Sequence, residues 1–140
     1  MRRKDMVEAH SSNYLVMSVA DIVTGRADPS VRPGWAMGSF YAPADLRFST
    51  AFEIKNWDAP GVQAEWRNHL DSGSEYIYVV RGTLAVILGR VADGTDAVVE
   101  IERVLVTAGQ VIVLRAGQWR RFEPTDDVLG VTVRAANKPH

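Results

Sequence analysis

Apolar residues recur along this chain with two different periods. Between Tyr14 and Val23 the positions Leu15, Val16, Val19 and Ile22 fall three or four apart. That spacing predicts a short helix, with a strand over part of the segment as the alternative. "TGRADPSVRPGW" follows, and its two glycines and two prolines read as a loop. From Trp35 onward the period is two. "WAMGSFYA", "STAFEIKNW", "VQAEWRNHL", "EYIYVV", "TLAVILGRV", "AVVEIERVLV", "QVIVLRA", "RRFEP" and "LGVTVRAA" are short, rich in β-branched and aromatic residues, and divided by turn residues.

Eight or nine short strands with frequent turns predict an all-β sandwich or barrel. "RGT" at 81–83 reads as a tight turn, and the Asp-Gly pair within "ADGTDA" at 92–97 reads as a hairpin. A length of 140 residues suits one domain. Residues 1–40 read as an N-terminal extension of short helix and loop, and residues 41–140 as the β domain.

Composition narrows the function classes. Sixteen basic residues stand against seventeen acidic ones and are spread along the chain, which argues against a nucleic-acid partner. There is no cysteine, so disulfides, thiolate nucleophiles and cysteine-ligated zinc are excluded. "MRRKD" is followed by a short apolar stretch carrying Asp21 and lacking a convincing cleavage site. No window is long enough to span a bilayer as a helix, so no membrane is expected and a cytoplasmic address is.

Alternation also sorts side chains by face. Along "EWRNHLD", Glu65, Arg67, His69 and Asp71 fall on one side and Trp66 on the other. A strand starting at Glu75 puts Ile77 and Val79 on the side of Glu75, with Tyr76 and Tyr78 opposite. In "WRRF", Arg120 and Phe122 share a face while Arg121 points away. Phe52 and Ile54 are expected to form an apolar wall beside the ionisable cluster. The tryptophans at 35, 57 and 66 read first as core or interface anchors; Trp119, just before Arg120, reads as a residue of the pocket mouth.

Two motifs resemble those of the cupin superfamily. The first runs His69, one residue, Asp71, three residues, Glu75, six residues, Gly82; the second runs Gly109, five residues, Arg115, one residue, Gly117, two residues, Arg120. The resemblance implies a cupin-like jelly roll, or double-stranded β-helix, and a homodimer. In metal-binding cupins the two histidines and the glutamate of the first motif and the histidine of the second hold the ion. This chain has Asp71 at the second of those positions and Arg120 at the last, and Arg115 replaces the proline of the second motif.

A guanidinium stays protonated and has no lone pair to give. At ~4 Å it would repel a cation by several kcal/mol in a medium of intermediate dielectric. The reading that follows is a pocket without a tightly bound metal, taking a small oxygenated or anionic molecule. His69 and Glu75 are the candidate catalytic pair for proton transfer, as in an isomerase, epimerase, cyclase or lyase. Arg67, Asp71, Arg120, Trp119 and Phe122 are the candidate substrate contacts. No cofactor is favoured. Two alternatives stay open: a cupin that binds or senses an anionic metabolite without turnover, and a metal-dependent one using His69, Asp71 and Glu75 with a divalent ion. A third, bland reading makes the ionic groups a network that only supports the fold.

Overall fold

The computed structural model describes residues 8–10, 13–26, 30, 32–59, 64–70, 73–124 and 127–135. Asp71, one of the expected contacts, lies outside them. The chain opens with an antiparallel pair, β1 (Glu8–His10) and β2 (Leu15–Met17). A six-residue helix, α1 (Val19–Thr24), follows and ends on Gly25 in the left-handed region. The helix predicted from Tyr14 is therefore shorter than expected, because Leu15–Met17 pairs with β1. No helix among the described residues is long and apolar enough to cross a membrane.

The remaining strands are β3 (Trp35–Met37), β4 (Phe52–Asp58), β5 (Glu75–Arg81), β6 (Thr83–Val91), β7 (Val98–Thr107), β8 (Val111–Leu114), β9 (Trp119–Pro124) and β10 (Leu129–Ala135). They form a five-stranded sheet in the order β3-β4-β10-β5-β8 and a three-stranded sheet in the order β7-β6-β9. Trp35–Met37, read from sequence as part of the N-terminal extension, is the edge of the larger sheet.

An antiparallel bridge between Arg67 and Arg120 adds the segment before β5 to the outer side of β9. Counted from β4 with that segment included, eight strands run first-eighth-third-sixth in one sheet and second-seventh-fourth-fifth in the other. That is the order of a jelly roll, two Greek keys folded face to face. No ladder joins the sheets among the described residues, so the expected barrel is an open sandwich.

The turns follow the residues that make them. Ala92 N–H donates to Ala97 O across the β6–β7 hairpin, with Gly94 at φ 75°. The "RGT" turn carries the chain from one sheet to the other, from β5 to β6. Gly82 sits there at φ 82°, where a Cβ would come 2.5 Å from Asp127 O, so only glycine fits.

One end of the sandwich is filled by Ile77, Val79, Leu84, Val86, Val106, Leu114 and Val128, all buried. The other end is different. There β4 and β10 turn their polar residues inward, and Phe52, Ile54, Val131 and Val133 alternate to the outside. Met37, Ile54, Val133, Tyr76 and Val113 consequently stand in register across the outer face of all five strands. Val113 is 62% exposed and Tyr76 45%. The expectation that Phe52 and Ile54 line the pocket is reversed, because the phase of β4 is opposite to the one apolar burial predicts.

Candidate functional site

The inward-facing polar residues border a cavity of about 150 Å³ between the sheets. Strand β4 contributes Glu53, Lys55 and Trp57, and β10 contributes Thr132 and Arg134. Arg32 and Trp35 close one side; Arg67, His69, Glu75 and Phe122 close the other. Four cationic side chains face two carboxylates, a formal surplus of two positive charges. Cross-strand pairing explains the local arrangement. Glu53 lies opposite Arg134, Lys55 opposite Thr132, and Trp57 opposite Gly130. Arg134 Nε donates to Glu53 Oε1 at 3.1 Å, and Trp57 Nε1 donates to Thr132 Oγ1 at 2.9 Å. The Trp57 ring lies over bare backbone, since a Cβ on Gly130 would come 2.2 Å from it.

Trp35 gathers positive charge. The Arg134 guanidinium lies 5.3 Å from its ring centroid, Lys55 Nζ 5.5 Å and the Arg32 guanidinium 5.9 Å. Each contact is a cation–π attraction, but the three cations repel one another.

Glu75 and Arg120 form the buried part of the site. Arg120 is completely buried, and its Nη1 donates to Glu75 Oε1 at 3.0 Å. Its Nε donates to Gln118 O at 2.8 Å and its Nη2 to Arg115 O at 2.9 Å. Arg120 thus spends its donors on the carboxylate and on the turn between β8 and β9, and it does not line the cavity. Trp119, paired opposite Gly89, does not line it either. Phe122, on the same face as Arg120, forms the floor between cavity and core. Arg67 reaches the cavity with a half-exposed side chain. Trp66 is on the other side of the small sheet, where its ring fills the space beside Gly89 under the Arg121 guanidinium.

His69 is held by a backbone in the left-handed region, φ 48°, which few non-glycine residues adopt. The imidazole points into the cavity alongside Arg67, so the two share a face as the alternation through "EWRNHLD" predicts. Its Nε2 is 3.9 Å from Glu75 Oε2, and its Nδ1 is 3.5 Å from Arg134 Nη1. Burial, reinforced by Arg134, Arg120 and Arg67, holds the imidazole down at about 4, so it is neutral at pH 7. Burial pushes the Glu75 carboxyl up, opposed by Arg120, Arg134 and Lys55. Lys55 is pushed down by burial first, then by Arg32, Arg134 and Arg67, with Glu75 acting the other way.

Of the metal-binding set read from sequence, His69 and Glu75 are described and Asp71 is not, and the two that are described make a poor pair for a cation. Glu75 Oε1 accepts from Arg120, and Glu75 Oε2 lies 3.7 Å from Arg134 Nη1, the same nitrogen that approaches His69. An ion between His69 and Glu75 would sit beside two permanent guanidinium charges. Among the described residues no three histidine, aspartate or glutamate side chains cluster in a way that would hold a metal.

Arg32, Glu53, Lys55, Thr132 and Arg134 were not expected at the site; Trp57 is the core residue expected and borders the cavity as well, and Trp35 borders it too. Glu53, Lys55 and Trp57 do carry a signal, an every-second-residue run of charged and aromatic side chains on one strand. Their face was legible; its inward direction was not.

No protein-family model and no curated protein matches the sequence. Among solved structures the chain is similar to hydroquinone 1,2-dioxygenase from Sphingomonas sp. TTNP3 with 4-hydroxybenzoate bound, at 13% identity over 62% of this chain and 60% of that one, TM-score 0.48. It is similar to KdgF from Halomonas sp. at 16% identity over 64% and 74% of the two chains, TM-score 0.47. A cupin-2 domain containing protein from Shewanella frigidimarina gives 17% identity over 64% and 71%, TM-score 0.42. Likenesses of this size carry no activity across to this chain. The chain's own strand order makes it a jelly roll, with Glu75 opening β5, Arg120 in β9 and Gly82, Gly109 and Gly117 in the turns between strands.

Proposed function

We propose that the cavity binds a compact oxygenated anion, such as a small carboxylate, and that His69 moves a proton on it. One observation carries this reading: three cations converge on Trp35, and of the cavity's two carboxylates only Glu53 makes an ion pair with any of them closer than 3.5 Å. A carboxylate among Arg32, Lys55 and Arg134 relieves that repulsion with charge-assisted hydrogen bonds. Trp35, Trp57 and Phe122 provide apolar walls. A cavity of about 150 Å³ matches one six-membered ring.

For proton transfer, neutral His69 is the acceptor at pH 7, and a proton taken up there is met by Glu75 at 3.9 Å. Glu75 is better described as a positioning residue, since Arg120 holds one of its oxygens. That same restraint favours a second reading, anion binding without turnover, because of the His69–Glu75 pair only His69 is left free to carry a proton. Chemistry of the isomerase, cyclase or lyase type belongs to the first reading alone.

Calorimetric titration with benzoate and its neutral isostere benzamide, at low and high salt, tests the binding. Benzoate should bind, more weakly as salt rises, and benzamide should not. Equal binding of the two would sink the anion site. With a turned-over substrate in hand, His69→Gln should retain binding and lose turnover; retained turnover would leave binding as the function.

A further inference from the structure

We propose that Lys55 is an imine-forming amine, and that the anions this cavity takes are small oxo acids whose carbonyl carbon it attacks. The inference rests on the anion-binding reading above and names the substrate class within it. Four cations border the cavity, and only one of them can shed its charge. A guanidinium does not lose its proton in a protein, whereas a lysine ammonium does so readily when desolvated.

The fold also withholds a counter-ion from Lys55. Its cross-strand neighbours on the cavity face are Trp35 and Thr132, neither of them acidic. Two residues back along β4, Glu53 is claimed by Arg134 directly opposite. Glu75, the other carboxylate, is claimed by Arg120. Among the described residues Lys55 makes no ion pair, and burial together with three guanidiniums makes its proton easier to lose.

Its position is built as well. Gly34, at φ 95°, is held bare by Asn56 O, 2.5 Å from where its Cβ would stand, and the Lys55 stem packs on the same spot, with Cε at 3.3 Å and Cγ at 3.4 Å. The stem so packed carries Nζ to 5.5 Å from the Trp35 ring centroid.

The step balances without oxidant or reductant. The neutral Nζ lone pair attacks the carbonyl carbon, and the C=O π pair moves to oxygen, which takes one proton from the nitrogen. A second proton, from solvent, lets the carbinolamine expel that oxygen as water as the nitrogen lone pair forms C=N, leaving a protonated imine. The arginines hold the substrate carboxylate, and His69, on the same cavity, takes a proton from the carbon next to the imine. The imine is the electron sink that makes this proton removable.

The full chain is incubated with benzoylformate, a one-ring oxo acid, or with acetophenone, its ketone without the carboxylate. Sodium borohydride is added, and adducts are located by peptide mass spectrometry. The chain has three lysines, Lys4, Lys55 and Lys138. Benzoylformate should leave a reduced adduct on Lys55 at least about tenfold above Lys4 and Lys138, reduced by added benzoate and absent from Lys55→Arg. Acetophenone should leave little. Comparable labelling of all three lysines, or equal labelling by acetophenone, would overturn the assignment. Calorimetry on the same unmodified protein separates the failures. Benzoate bound with no adduct on Lys55 refutes the imine and keeps the anion site; neither binding nor adduct refutes both.

Discussion

Replacing Arg120 with Met tests whether the ion pair is the structural centre of this end of the sandwich. The guanidinium is fully buried and the Glu75 side chain 4% exposed. Methionine keeps much of the volume but removes three hydrogen bonds, to Glu75 Oε1, Gln118 O and Arg115 O. Stripping one partner from a buried pair costs about 3–5 kcal/mol, because the other charge stays behind without compensation. Arg134, 3.7 Å from Glu75 Oε2, returns part of that. The two orphaned carbonyls add about 1 kcal/mol each where water does not reach them. A net loss of about 4 kcal/mol follows, a large share of the ~5–15 kcal/mol that holds an ordinary domain together.

Urea unfolding followed by tryptophan fluorescence measures it. With a slope of ~2 kcal/mol per M, the midpoint should fall by about 2 M. Adding Glu75→Met should recover at least ~1 kcal/mol, since the double variant carries no stranded carboxylate. The loss in the single variant should also shrink toward acid pH, because Glu75, already pushed up by burial, then takes a proton and its charge disappears. A single-variant midpoint within about 0.5 M of the parent would refute the reasoning.

Two further predictions concern the charges of the cavity. His69 is held at about 4 when folded against its ordinary 6.5, so the unfolded chain binds the extra proton between those values. Its contribution is therefore complete above pH 6.5 and is lost as the pH falls through about 4, amounting to about 2 kcal/mol after discounting for the solvent-exposed part of the ring. Glu75 acts with the opposite sign, so the contribution is read as the difference between parent and His69→Gln melting across pH 4–7; a flat difference removes it. Second, Glu53→Gln takes away the carboxylate that pairs Arg134 and should raise benzoate affinity by roughly threefold to tenfold at low salt, about 1 kcal/mol. Weaker binding would mean that Glu53 positions Arg134 more than it neutralises it.

Much of the β arrangement was legible because period two fixes which residues travel together. Glu75 with Ile77 and Val79, and Arg120 with Phe122, share faces as read, and Asp93-Gly94 makes its hairpin. Alternation is silent on which of two faces turns inward, and the apolar-inside rule gave the wrong answer for β4 because its interior face borders a charged cavity. The motif frame located Arg120 and its pairing with Glu75, but not its other two partners, which are backbone carbonyls of a turn. Arg134 sits 59 residues beyond Glu75 in the chain and meets it only because β10 inserts between β4 and β5.

Strand β4 holds a register that solvent exclusion alone would not choose. Sliding it by one residue would hide Phe52 and Ile54 and put Glu53 and Lys55 in water. Two interlocks oppose that slip: the indole of Trp57 fits over Gly130, and Asn56 N–H donates to Gly34 O at 2.7 Å. Strengthening the sandwich by swapping Glu53 or Lys55 for valine would remove the conflict together with the charges of the proposed anion site. Variants selected only for heat resistance should drift toward an oily, ligand-blind interior.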